Sequence, residues 1–93
     1  MSSEKRSMQE ILSDQFRITA ELSRMTGEYH RLLQKVAAAG FARQMAEDDP
    51  GPALAEAERI EIAAKLTAET CELQVEALEK QLSALGRELS DLT

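Results

Sequence analysis

The sequence predicts an all-α fold, an antiparallel two-helix hairpin of coiled-coil type that is expected to assemble into a four-helix bundle or a hetero-complex. Three observations carry that reading. Apolar residues recur at alternating steps of three and four on both sides of Asp48-Asp49-Pro50-Gly51-Pro52, the spacing that lets helices bury a continuous stripe. The two apolar series match layer for layer when one arm folds back on the other. Composition agrees: Ala, Glu, Leu, Lys and Arg dominate, aromatic residues are 3% of the chain, Trp is absent, and no period-two alternation marks a strand.

Helix 1 is expected over about residues 4–47, starting near Ser3 or Ser7. Ser7-Met8-Gln9-Glu10 has capping-box spacing, in which the Ser oxygen and the Glu carboxylate each satisfy a free amide. Its seam is Met8, Ile11, Ile18, Leu22, Met25, Tyr29, Leu32, Val36 and Ala39, with Gln15 as its polar member. Gly40 marks the place for a kink or early stop, because glycine destabilises a helix interior by roughly 1 kcal/mol relative to alanine. Residues 48–52 form the turn. A proline suits the first position of the next helix, with Gly51 or Asp49 before it as the cap. Helix 2 is expected over about 53–92, with Leu54, Ala57, Ala64, Ala68, Cys71, Val75, Leu78, Leu82, Leu85, Leu89 and Leu92 on its seam and Glu61 as the intruder.

Antiparallel pairing requires facing seam positions to keep a constant sum, and a sum near 100 works throughout. It places Ile11 with Leu89, Ile18 with Leu82, Met25 with Val75, Tyr29 with Cys71 and Leu32 with Ala68. An arm of this length would span roughly 60 Å. Arg43 and Glu61, both polar seam residues near the turn, are expected to form an ion pair that fixes the register.

Charge bounds the function. The chain has 17 acids against 11 Lys and Arg, a net charge of −6. That balance argues against nucleic acid, whose phosphates need a basic face, and against anionic membranes. The polar start of the chain lacks a signal-peptide apolar region, and no stretch reaches membrane-spanning length, so a cytoplasmic location is expected. Acids stand three residues before Arg17, Arg24 and Arg31, the spacing of a solvated, salt-bridged helix face. The alternative is that these arginines meet an acidic face of a partner, such as Glu69, Glu72, Glu76 and Glu79 of a second copy.

Some apolar residues lie off the seam. Leu12 and Leu33 widen it on helix 1, and Ile60 widens it on helix 2. Phe41, Met45, Ile62, Leu66 and Leu73 fall outside it near the turn end, where together they would form one exposed patch. Such patches mark partner surfaces. The candidate interface is therefore Phe41, Met45, Ile62, Leu66 and Leu73, flanked by Leu12 and Leu33, with a homodimer or a protein partner as its occupant. In the other reading, Gly40 bends the chain and tucks Phe41 and Met45 back over the hairpin.

No catalytic, cofactor or metal site is expected. Cys71, the single cysteine, falls on the seam and behaves as a small apolar residue. His30 invites comparison with histidine phosphotransfer hairpins, but His30-Arg31-Leu32-Leu33-Gln34-Lys35 lacks the Lys-Gly pair at Leu33 and Gln34. It also lacks the acid that follows the histidine in sensor kinases. Secreted hairpins with a Trp-x-Gly turn fail for want of Trp. In length, acidity and hairpin form the chain is similar to small chaperones of bacterial secretion systems. The expected function is a non-enzymatic adaptor, chaperone-like or structural subunit. The alternatives are phosphate relay through His30, or inhibition by an acidic face occupying a basic groove.

Overall fold

The computed structural model describes residues 6–93 and contains two helices, α1 (Met8–Ala46) and α2 (Pro52–Asp91), packed antiparallel as a rod of 69 × 21 × 14 Å. α1 begins where its capping box places it. Ser7 is extended, its Oγ accepts from the Glu10 amide, and its own amide donates to the Glu10 carboxylate. The helix therefore starts at Met8 rather than near residue 4, and the alternative start at Ser3 lies outside the described residues. At the other end the Glu47 amide donates to the Gln44 carbonyl, tightening the last turn before the chain reverses.

α2 starts on Pro52, whose missing N–H is among those a helix leaves unpaired at its first turn anyway. Gly51 is its N-cap, at φ 150° and ψ −152°, a region open essentially to glycine alone. Each arm of about forty residues follows from the absence of a proline inside either seam.

Among the described residues every buried one lies on the expected seam: Ile11, Ile18, Met25, Leu32 and Ala39 from α1, and Ala68, Cys71 and Leu85 from α2. They form two clusters. Ile11, Ile18 and Leu85 gather Leu78, Leu82, Leu89 and Leu92 near the open end. Met25, Leu32, Ala68 and Cys71 gather Tyr29, Val36, Val75 and Leu78 in the middle. The clusters join the layers that a sum near 100 pairs. Met8, the outermost seam residue, is 47% exposed, because at the rod's end it has solvent on one side.

An Arg–Glu bond between the helices clamps the rod near each end. Near the turn Arg43 Nε donates to Glu61 at 2.7 Å, as expected, and Arg43 Nη1 donates to Glu47 at 2.5 Å. At the open end Arg6 donates two bonds to Glu88, at 3.2 and 2.8 Å, and also bonds Asp14. The first clamp explains Gly40. α1 runs through this glycine without the expected kink or stop, and a Cβ there would lie 3.1 Å from the Glu61 carboxylate. Glycine leaves room for a charged group to enter the seam.

Replacing Ile18, 2% exposed, with Ala should destabilise the hairpin by about 2–5 kcal/mol. Phe16→Ala, two residues away on the same helix, should change stability by less than about 0.5 kcal/mol. Chemical denaturation followed by circular dichroism measures both; equal losses would contradict the seam.

Candidate interaction surface

Two helices joined by one seam cover only one stripe of each, and the composition of the remaining faces differs sharply. With Met8 as heptad position a, every c and g position of α1 from Glu10 to Lys35 is charged. Every b, e and f position from Gln9 to Gln44 lacks Asp, Glu, Lys and Arg. α1 thus has one charged flank and one charge-free flank, the latter running nearly its whole length.

α2 is divided the opposite way. Its c and g positions from Ile60 to Ala84 are charge-free, and its b and e positions carry Glu58, Glu69, Glu72, Glu76 and Glu79. The hydroxyls of Thr67 and Thr70 donate to the Ala63 and Leu66 carbonyls, each at 3.0 Å, so this flank commits its alcohol protons to its own backbone. In an antiparallel pair e faces e and g faces g. Accordingly, one groove between the helices is lined by Leu33, Lys65 and Glu72, and the opposite one by Glu21, Gln74 and Gln81. Each broad face of the rod therefore joins a charge-free flank of one helix to a charged flank of the other.

The seven residues predicted as an interface are all exposed. They do not form one patch. Leu12 and Leu33 lie on the charge-free flank of α1, with Phe41 at its outer edge. Leu66 and Leu73 lie on the outer edge of α2, on the far side of the rod, and border its charge-free flank beside Ile60. Ile62 and Met45 sit on opposite shoulders. Phe41 and Met45, 65% and 62% exposed, are not folded back over the hairpin.

Phe16 was missed. At 83% exposure it is the most exposed of the large apolar side chains and belongs with Leu12 on the α1 flank. The signal that finds it is the lack of charge at b, e and f, which a search for seam residues passes over.

The arginine stripe is neutralised within α1. Arg24 donates to Glu21 at 3.1 and 2.6 Å, Arg31 likewise bonds Glu28, and Arg17 lies 3.7 Å from Asp14. These bonds hold the Glu21 and Glu28 carboxyls below the usual range, chiefly through the Arg hydrogen bonds. Among the described residues, Glu69, Glu72, Glu76 and Glu79 have no Lys or Arg within ion-pairing distance.

His30 is exposed on the charge-free flank, its ring centroid 6.4 Å from that of Tyr29. Cys71 is 4% exposed, and its Sγ lies 3.7 Å from the Met25 carbonyl. Among the described residues no three His, Cys, Asp or Glu side chains are grouped to hold a metal ion, and no helix is long and apolar enough to cross a membrane. Comparison with protein-family models, with curated proteins and with solved structures found no match.

Tyr29 reports on the groove between Leu33 and Glu72. Partial burial, then the nearby Glu72 charge, raise the phenol above its usual pKa of 10.0. A raised acid favours its neutral form in the fold. The resulting stability is full below the ordinary tyrosine pKa and is lost as pH rises through the higher folded value. As the only tyrosine, it can be followed by phenolate absorbance. Its midpoint should exceed that of the unfolded chain, and Tyr29→Phe should remove this component of alkaline destabilisation. Equal midpoints would contradict the placement.

Proposed function

We propose that this hairpin is a non-enzymatic protein–protein interaction module, an adaptor, chaperone-like or structural subunit that offers its helix flanks to partner helices. The observation carrying the reading is the charge-free flank of α1. A solvated helix face normally carries charge, whereas this one keeps Leu12, Phe16, Leu33 and Phe41 exposed along a strip without any. The charge-free flank of α2, with Ile60, Leu66 and Leu73 on or beside it, supports a second contact on the opposite face.

Apolar exposure along two separate strips suits helices laid lengthwise, as in a bundle of four or more. The sequence-based expectation of one patch around the turn thus becomes a proposal of two strips. An assembly of hairpins or a complex with another protein would cover them, and a long hairpin gains stability from either because alone it buries little apolar area.

Two double variants test the strips separately: Leu12→Glu with Phe16→Glu on α1, and Ile60→Glu with Leu73→Glu on and beside the charge-free flank of α2. Each should leave helical content unchanged and weaken self-association or partner binding at least about tenfold. Light scattering at two concentrations and co-purification from the native cell are the readouts. Undiminished association in both variants would overturn the proposal.

A further inference from the structure

We propose that the face joining the charged flank of α1 to the charge-free flank of α2 binds a second copy of this chain, antiparallel, about a two-fold axis beside Glu21 and Arg24. This rests on the interaction-module reading and names the occupant of its α2 strip. The observation that carries it is the order of charges on α1. Every c and g position from Glu10 to Lys35 is charged, and positions whose numbers sum to 45 are opposite in sign. Two copies laid antiparallel at that register set Lys35 on Glu10, Arg31 on Asp14, Glu28 on Arg17 and Arg24 on Glu21. Each layer joins a c position to a g position, the counterpart of the a-to-d layers in an antiparallel seam. Parallel pairing in register would set like charge on like.

The ion pairs within α1 do not consume this pattern. Arg17, Arg24 and Arg31 each hold an acid of their own helix while half or more of each side chain stays exposed. A carboxylate of the second copy would join each pair and extend it into an alternating row. Lys35 has no carboxylate within ion-pairing distance among the described residues, and it would gain Glu10. Exposed pairs of this kind fix register and exclude wrong partners more than they add affinity. A foreign helix would need no such antisymmetry in the charges of α1.

The sum rule carries the same axis to α2, between Ala77 and Leu78. Gln74 then comes level with Gln81 of the second copy, and both amides can donate and accept. Thr70, Ala77 and Ala84, small residues at heptad spacing, let the two α2 backbones approach. The groove between α1 and α2 on this face lies at the axis, lined by Met25 and Leu78 from the seam and by Glu21, Arg24, Gln74 and Gln81 above it. Glu88, the next charge along this flank, is held by Arg6. The overlap runs for about 45 Å of the 69 Å rod and is two helices wide, the scale of a standard interface of about 800 Å² per partner.

The test uses the full chain. Light scattering at two concentrations should show a dimer that dissociates on dilution. Arg17→Glu with Arg24→Glu should weaken dimerisation at least about tenfold, and so should Glu21→Arg with Glu28→Arg. An equimolar mixture of these two variants should form a heterodimer as tightly as the unaltered chain pairs with itself, because every opposed pair is restored. Ala77→Glu, which sets two carboxylates beside the axis, should abolish the dimer with helical content retained. A mixture that associates no better than either variant alone, or an intact dimer in Ala77→Glu, overturns the proposal. A monomer at both concentrations, with a foreign protein released by Ile60→Glu with Leu73→Glu, overturns the second copy as occupant while sustaining the interaction module. Absence of any association overturns the two together.

Discussion

One apolar seam holds this molecule together, and most other features follow from its geometry. Alternating steps of three and four keep a single stripe of each helix facing the other over about forty residues. Among the described residues, all eight buried side chains lie on it. A two-helix seam leaves no further layer to bury, so each helix has most of its circumference outside the core. What those outer positions carry is decided by solvent and partners.

The seam also dictates where charge can cross between the helices. Arg6 with Glu88 and Arg43 with Glu61 stand near the two ends of the rod, where water still reaches them and desolvation is lower than in the middle. Gly40 belongs to the second of these pairs, giving the Glu61 carboxylate space beside α1. Between the clamps the layers are apolar except at Gln15, with Cys71 and the alanines opposite larger residues. The register is thus set by shape along the rod and by ion pairs toward its ends. The turn adds a backbone constraint, since Gly51 adopts a conformation closed to side-chain-bearing residues.

The seam, the Ser7 capping box and the Arg43–Glu61 pair were legible in the sequence because each is a spacing that one geometry satisfies; of the two caps it offered for α2, Gly51 and Asp49, the helix uses Gly51 and starts at Pro52, one residue before the expected 53. The unbroken passage through Gly40 was less so. Intrinsic propensity marks a weak point there, while the reason for the glycine lies in a residue of the other helix. The outward-facing apolar residues were legible only as a class. Falling outside the seam says that Phe41 and Leu66 are exposed, but not that they sit on opposite edges of the rod; that needs the antiparallel e-to-e and g-to-g arrangement. Phe16 was overlooked because it stands alone among polar neighbours, next to Gln15. Its company becomes visible once the whole b, e and f flank is read together.

The most direct test of the account is a distance between spin labels at Ser13 and Arg87, exposed positions that the sum rule places level on the two helices. Labels on cysteines there, with Cys71→Ala removing the native thiol, should report about 15–30 Å, consistent with adjacent helices whose axes lie 8–10 Å apart. Diluting labelled chains with unlabelled ones before refolding should leave that distance and its amplitude unchanged, because the pairing is within one chain. Loss of the short distance on dilution, or its absence from the start, would show that the two arms do not fold back on each other, and the account would fail.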